Sequence, residues 1–369
     1  MKLNDVAVEC KETIKGETGL PVVGLEHLIP GEVCLTQWSD DSDNTFTKHF
    51  RKGQVLFGRR RAYLKKAAVT PFDGICSGDI TVIDARPDVL EPELLPFIIQ
   101  NDALFDYAVG HSAGSLSPRV KWEHLKNYEF QLPDKAQQRE LARLLWAVED
   151  TRRAYQTLIQ RSEELVKSQF IEMFGSSKEP KCTYVPLKTI TDVCSGGTPD
   201  RKQPEYWESG TIPWVKTTEL QNNIIVDTEE YITEKGVLNS SAKPVPSDTI
   251  LIAMYGQGKT RGMTALLGIE ACTNQACACV LPTDRVRMRF LWQYFICEYE
   301  RLRNLAKGTN QANLNAGMIK NYMVPIPDLE KQKCFERMVQ QLDKSKHSAQ
   351  KALEDLQSTQ KALIRKYLG

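Results

Sequence analysis

The sequence predicts an α+β fold: two globular domains, each followed by a long helix, with the two helices packed as an antiparallel coiled coil. Three features carry this expectation. The chain is an imperfect tandem repeat, each copy ends in a long amphipathic stretch, and the part of each copy ahead of that stretch mixes short apolar runs with loop-rich segments.

Gly114, Lys126-Asn127-Tyr128, Pro133-Asp134, Gln138, Lys167 and Gly175 recur 194 positions later as Gly308, Lys320-Asn321-Tyr322, Pro327-Asp328, Gln332, Lys361 and Gly369. Leu132 to Gly175 therefore aligns with Ile326 to Gly369 without a gap. Upstream the copies diverge. Leu20-Pro21-Val22-Val23 matches Ile212-Pro213-Trp214-Val215 at an offset of 192, and Ile75-Cys76-Ser77 matches Ala271-Cys272-Thr273 at 196, so insertions and deletions fall in loops.

In the first rear part Leu141, Val148 and Tyr155 recur every seven residues with Leu144, Leu158 and Leu165 between them, and no glycine or proline occurs from Asp134 to Phe174. The second repeats the phase with Phe335, Leu342, Ala349, Leu356 and Leu363, interleaved with Met338 and Ala352. Asp134 and Asp328 are candidate N-caps, and Gly175 and Gly369 stop the helices. A helix of about 40 residues, about 60 Å long, outruns a domain of this size, which favours a protruding pair over two surface helices. In the front parts, Gln54-Val55-Leu56-Phe57, Asp79-Ile80-Thr81-Val82-Ile83, Thr249-Ile250-Leu251-Ile252 and Ala276-Cys277-Ala278-Cys279-Val280-Leu281 read as strands. Leu90 to Phe105 and Arg289 to Leu305 read as helices. The expected boundaries are a first globular domain at 1–133, a first long helix at 134–175, a second domain at 176–327 with a linker at its start, and a second long helix at 328–369.

With 369 residues, 41% hydrophobic and 26% charged, the chain falls in the globular class. No signal-peptide core follows Met1, and no segment reaches the length of a membrane span, so the expected location is the cytoplasm. The ten cysteines are scattered, and Cys272, Cys277 and Cys279 lack zinc-knuckle spacing, which predicts reduced, mostly buried thiols. Net charge is only +1, yet Lys48 to Lys66 holds Lys48, Arg51, Lys52, Arg59, Arg60, Arg61, Lys65 and Lys66 with no acidic residue, just after Asp40, Asp41 and Asp43. Basic density focused on one segment of a neutral protein suits phosphate contact.

Several motifs then resemble one family in order. The second half carries Val193-Cys194-Ser195-Gly196-Gly197-Thr198-Pro199, Ile212-Pro213-Trp214-Val215, Tyr255-Gly256-Gln257-Gly258-Lys259-Thr260-Arg261-Gly262, Thr273-Asn274-Gln275 and Pro325-Ile326-Pro327. It resembles the target-recognition domain of a type I restriction–modification specificity subunit along nearly its whole length. The first half resembles a different variety of that domain through Val55 to Lys65 and Gly74-Ile75-Cys76-Ser77-Gly78-Asp79. It lacks the Gly-Gly-Thr-Pro element, and has Gln131-Leu132-Pro133 at its exit. The resemblance implies a non-catalytic subunit that binds double-stranded DNA at an asymmetric bipartite target. It further implies two methyltransferase subunits using S-adenosylmethionine and restriction subunits using ATP and magnesium, with no cofactor on this chain.

Three rivals weigh less. Ala253 to Thr260 fits a relaxed phosphate-loop pattern, but Arg261-Gly262-Met263-Thr264 is a poor first helical turn. No Pro-Pro pair supports an amino-methyltransferase motif, no Glu-x-Lys or Asp-x-Lys follows the Pro-Asp pairs as a nuclease needs, and the five histidines show no metal-ligand pattern. A bare coiled-coil scaffold gives no reason for two diverged loop-rich domains. The candidate DNA contacts in the first domain are Arg59, Arg60, Arg61, Lys65 and Lys66, with Tyr63 packing or touching the backbone. In the second they are Tyr255, Gln257, Lys259, Thr260 and Arg261, then Thr198, Arg201 and Lys202; Asn274 and Gln275 either read adenine or brace loops.

Overall fold

The computed structural model describes residues 1–14, 19–40, 45–256, 258–305 and 313–369. By contacts it divides into two compact units, Met1–Leu158 with Ser348–Gly369, and Ile159–His347.

The first unit contains α1 (Leu3–Val6), β1 (Ala7–Cys10), β2 (Val22–Val23), β3 (Lys48–Phe50), β4 (Val55–Gly58), β5 (Ala67–Val69), β6 (Gly74–Cys76) and β7 (Ile80–Ala85). Then come α2 (Leu95–Ile99), α3 (Asp102–Gly110), α4 (Trp122–Leu125) and the start of α5 (Lys135–Phe174). One sheet runs in the order β1-β7-β4-β5 and a second in the order β2-β6-β3. Side chains alternate across a strand, so on β4 Val55 and Phe57 enter one core with the helices, while Leu56 faces another with Val23, Phe50 and Cys76. Covering both faces is why the run reads as continuously apolar.

The second unit repeats this plan. It has β8 (Thr183–Pro186), β9 (Val193–Ser195), β10 (Ile212–Val215), β11 (Asn223–Ile225), β12 (Glu230–Ile232), α6 (Glu234–Leu238), β13 (Ile250–Ala253), β14 (Thr264–Leu267), β15 (Cys272–Thr273) and β16 (Cys277–Val280). These are followed by α7 (Met288–Cys297), α8 (Tyr299–Asn304), α9 (Ala316–Lys320), β17 (Met323–Ile326) and α10 (Leu329–Leu368). Its main sheet runs β9-β16-β13-β14 with β11 added at the far edge. Strand β13 splits as β4 does: Ile250 and Ile252 face the helical core, and Leu251 and Ala253 the opposite one. The parallel pair β2–β6 is matched by β10–β15, which are the segments aligned at offsets 192 and 196.

The length-locked rear parts show why they were kept. Gln138, buried, accepts from Glu91 N (2.8 Å) and donates to Pro133 O (2.9 Å). Its counterpart Gln332 accepts from Arg287 N (2.9 Å) and donates to Pro327 O (2.7 Å). Each glutamine thus pairs a backbone amide just ahead of α2 or α7 with its side-chain oxygen. In the first unit Leu141 and Leu145 of α5 share a core with Ile364 and Leu368 of α10. In the second, Phe335 and Val339 of α10 share one with Phe170 and Phe174 of α5. All four positions correspond at the 194 offset.

Asp134 caps α5 by accepting from Gln137 N (2.9 Å), and Gly175, with φ of +73°, ends it. One part of the heptad reading is corrected. Leu144, Leu158 and Leu165 are exposed (42%, 44% and 45%), and the buried face of the first turns is Gln138, Leu141, Ala142, Leu145 and Glu149. These positions form one helix face turned to the core of the first domain. Glu149, fully buried, is neutralised by Arg152 (2.9 Å), which also reaches Glu32 (3.5 Å).

All ten cysteines are free thiols; Cys76, Cys272, Cys277 and Cys279 are buried, whereas Cys194 and Cys334 are exposed. Among the described residues no helix is long and apolar enough to cross a membrane.

Candidate nucleic-acid interface

The two segments singled out as DNA-contacting occupy the same place in the fold. Arg59–Lys66 joins β4 to β5, and Tyr255–Met263 joins β13 to β14; both pairs are antiparallel. Even the local anchoring matches, since Arg59 N donates to Asp79 O (3.0 Å) and Met254 N to Ala276 O (2.8 Å).

In the first loop Gly58 N donates to Lys66 O (2.8 Å), closing the hairpin. Ala62 is buried beneath it, and Tyr63 is exposed at 54%. Arg61 and Lys65 adopt left-handed φ values of 54° and 51°, each costing roughly 1–3 kcal/mol for a residue with a Cβ. Surrounding bonds hold them there: Arg61 N donates to Pro118 O (2.8 Å) and Val120 N to Arg59 O (3.0 Å). Asp79 gathers the arginines. Arg119 contacts it twice (2.7 and 3.3 Å), and Arg60 reaches it at 3.4 Å while donating to Ser117 Oγ (3.0 Å). Arg119, then Arg60 and Arg59, keep the Asp79 carboxyl below the usual range. The buried Nε atoms of Arg59 and Arg60 have no hydrogen-bond partner among the described residues. Arg61 is exposed. Lys65 instead pairs with Asp102 (2.6 Å), and Lys66 donates to Leu25 O (2.6 Å), so both ammonium groups brace the loop.

In the second loop Tyr255, Gly258 and Lys259 are exposed, and Thr260 and Arg261 half-buried; Gln257 lies outside the described residues. Gly262 N donates to Ala253 O (2.9 Å) at the base. A strand, β14, and not a helix follows this loop, whereas a phosphate loop runs directly into a helix N-terminus. Beside it, Gly197 N donates to Thr273 O (2.8 Å) and Trp214 Nε1 to Gly197 O (3.0 Å). This sets Thr198, whose hydroxyl bonds the Gln275 side-chain oxygen. Asn274 Oδ1 accepts from Ala276 N (3.2 Å), a loop brace. Arg201 lies 3.7 Å from the Trp207 ring centroid and 4.9 Å from that of Trp214, and pairs with Glu230. That guanidinium is held in place by stacking, while Lys202 is exposed.

The sequence reading missed Arg119, Tyr299 and Arg303. Arg119 follows the loop-like stretch Ser112–Pro118, with no strand signal; its only marker was the recurrence of Gly114. Tyr299 and Arg303 sit on α8, where Tyr299 OH donates to Lys259 O (2.6 Å) and Arg303 to Gly258 O (2.8 Å). Among the described residues no group of three or more His, Cys, Asp or Glu is placed to hold a metal ion.

Fold and site together define a duplicated protein that presents one polar, partly cationic hairpin on each of two related α+β scaffolds. The chain matches, over residues 183–356, the family described as the type I restriction modification DNA specificity domain. It is 28% identical over 172 residues to the EcoR124I/EcoR124II specificity subunit of Escherichia coli, covering 46% of this chain and 42% of that one. It is 30% identical over 162 residues to the MjaIX specificity subunit of Methanocaldococcus jannaschii, covering 42% and 37%. The chain thus spans about two fifths of the length of these curated relatives. The crystal structure of a type I restriction–modification S subunit from M. genitalium superposes with TM-score 0.60 at 14% identity, over 100% of this chain and 95% of that one. A chain from a study of complex assembly in a type I system gives 0.57 at 20%, over 100% and 96%. At such identities the likeness is one of fold.

Proposed function

We propose that this chain is a non-catalytic DNA-reading subunit in which each copy contacts one half of an asymmetric bipartite target. The observation that supports this most directly is the shared hairpin position: one scaffold presents Arg59, Arg60 and Arg61 in the first copy and Tyr255, Lys259, Thr260 and Arg261 in the second. Equivalent placement with different side chains is what two different half-sites require, since base edges are told apart by donor and acceptor pattern. Residues 1–133 and 176–327 serve as the two recognition domains. Residues 134–175 and 328–369 serve as an antiparallel spacer. Two methyltransferase subunits, using S-adenosylmethionine, and restriction subunits, using ATP and magnesium, supply the chemistry on DNA held in the cytoplasm by this chain.

Mapping methylated adenines in cells that carry the complete system tests this reading. Two dissimilar half-sites at a fixed gap are expected; a single palindromic site would overturn it, as would methyl transfer by the purified chain alone. If the helices set the gap, four residues inserted near Phe174 add about 6 Å, and at about 3.4 Å per base pair the gap lengthens by one or two. An unchanged gap would assign the spacing to other elements.

A further inference from the structure

We infer that the second α-helix after each main sheet positions the reading loop of its own copy, with Tyr299 and Arg303 as positioning residues of the second loop and Asp102 of the first. This rests on the reading of those loops given above.

Helix α8 is a fixed platform. Leu302 is fully buried in the helical core. Glu298, its N-cap, accepts from Tyr322 OH (2.6 Å) and pairs with Arg301 (2.8 Å). From this platform two side chains one turn apart reach the loop, as i and i+4 residues on one helix face do. Tyr299 OH donates to Lys259 O at 2.6 Å, and Arg303 Nη2 to Gly258 O at 2.8 Å. Arg303 Nη1 donates to the Tyr299 oxygen (2.5 Å), locking the two side chains together. Two consecutive carbonyls are therefore pinned just before Thr260 and Arg261, and the bonds go to backbone, leaving the Lys259 side chain exposed. Gly262 permits this approach: a Cβ there would lie 2.9 Å from Arg303 Cγ, and its φ is +85°.

Helix α3 holds the corresponding place after β7. Its N-cap Asn101 accepts from Ala103 N (3.0 Å), and Leu104, Phe105 and Ala108 are buried. Its first residue, Asp102, takes Lys65 Nζ at 2.6 Å and Lys361 Nζ at 3.3 Å. Lys65 sits in a left-handed conformation without being glycine, and this tie helps to hold it there. Position is shared and chemistry differs: a carboxylate grips a loop side chain in one copy, and hydroxyl and guanidinium grip loop carbonyls in the other.

The test uses hydrogen exchange of the full chain without DNA, together with adenine-methylation mapping in cells carrying the complete system. Arg303→Met should raise amide exchange across residues 254–263 by about five- to tenfold, the size of one net hydrogen bond, and relax choice at the second half-site by a similar factor. Tyr299→Phe, which removes only a hydroxyl, should do the same to a smaller extent, and Arg303→Lys should restore part of the protection. Asp102→Asn should act on the 59–66 loop and the first half-site alone. Unchanged exchange in the loops of folded Tyr299→Phe and Asp102→Asn proteins would overturn the positioning role. Faster exchange with unchanged half-site choice would instead overturn the reading of the loops as DNA contacts.

Discussion

In the first copy the exposed hairpin is held by ions: Asp79 gathers Arg60 and Arg119, and Asp102 takes Lys65. In the second it is held by neutral acceptors, with the carbonyls of Gly258 and Lys259 receiving Arg303 and Tyr299. The cores beneath differ too. Where the second unit stacks Phe170, Phe174, Phe290 and Phe335 with ring centroids 5.0 to 6.0 Å apart, the first has Leu141, Ile364 and Leu368 at the corresponding α5 and α10 positions. A duplication can keep strand order and clamp residues while exchanging the forces that hold its working surface. Those forces predict different sensitivities.

The largest contrast lies in the cores. Phe335→Ala should cost about 3–5 kcal/mol and Leu141→Ala about 2–5 kcal/mol, with the phenylalanine the greater because three aromatic partners lose contact. Urea unfolding of the two variants measures both. A reversed order would show that the aromatic cluster adds nothing beyond volume.

A smaller contrast is expected with pH. Asp79 is held below the usual carboxylate range chiefly by Arg119. A depressed folded-state pKa contributes stability above the unfolded value, near 3.9, and that contribution is lost as pH falls below it. Asp79→Asn should therefore destabilise the chain at pH 7 by about 1 kcal/mol, and the difference should vanish as pH drops through about 3.9 and below. A gap between chain and variant that stays constant down to pH 3 would mean the Arg119 pair carries no charge-dependent stability.

Salt should give the smallest effect. The Lys65–Asp102 side chains are 42% and 48% exposed, so raising salt from about 0.01 to about 1 M, which shortens the screening length from about 30 to about 3 Å, should speed exchange in residues 59–66 by about twofold and leave 254–263 unchanged. Equal responses would erase the distinction between ionic and neutral braces.

Much of the fold was legible because its signals are local or repeated. The 194-residue offset found both copies, and apolar runs at Val55–Phe57 and Ile250–Ile252 found the central strands, since both their faces are covered. Leu144, Leu158 and Leu165 misled because a heptad pattern does not say which neighbour a helix meets. The site was half legible. Charge and glycine content marked both hairpins, and Arg-Arg-Arg stands in the first copy where the second has its glycine loop, but the partners that hold each loop carry no such mark. Lys65, Lys66, Arg201 and Asn274 were marked by composition, yet their partners Asp102, Leu25, the Trp207–Trp214 pair and Ala276 lie far away or in the backbone, where no spacing rule reveals them. Arg303 and Tyr299 were hidden for the same reason.

The central claim is that each hairpin reads its own half of the target, and mapping methylated adenines in cells carrying Lys259→Ala with Arg261→Ala tests it most directly. The expected result is a relaxed second half-site, by roughly 1–3 kcal/mol for each true base contact, beside an unchanged first half-site and an unchanged gap. Loss of discrimination at the first half-site, with the second intact, would contradict it.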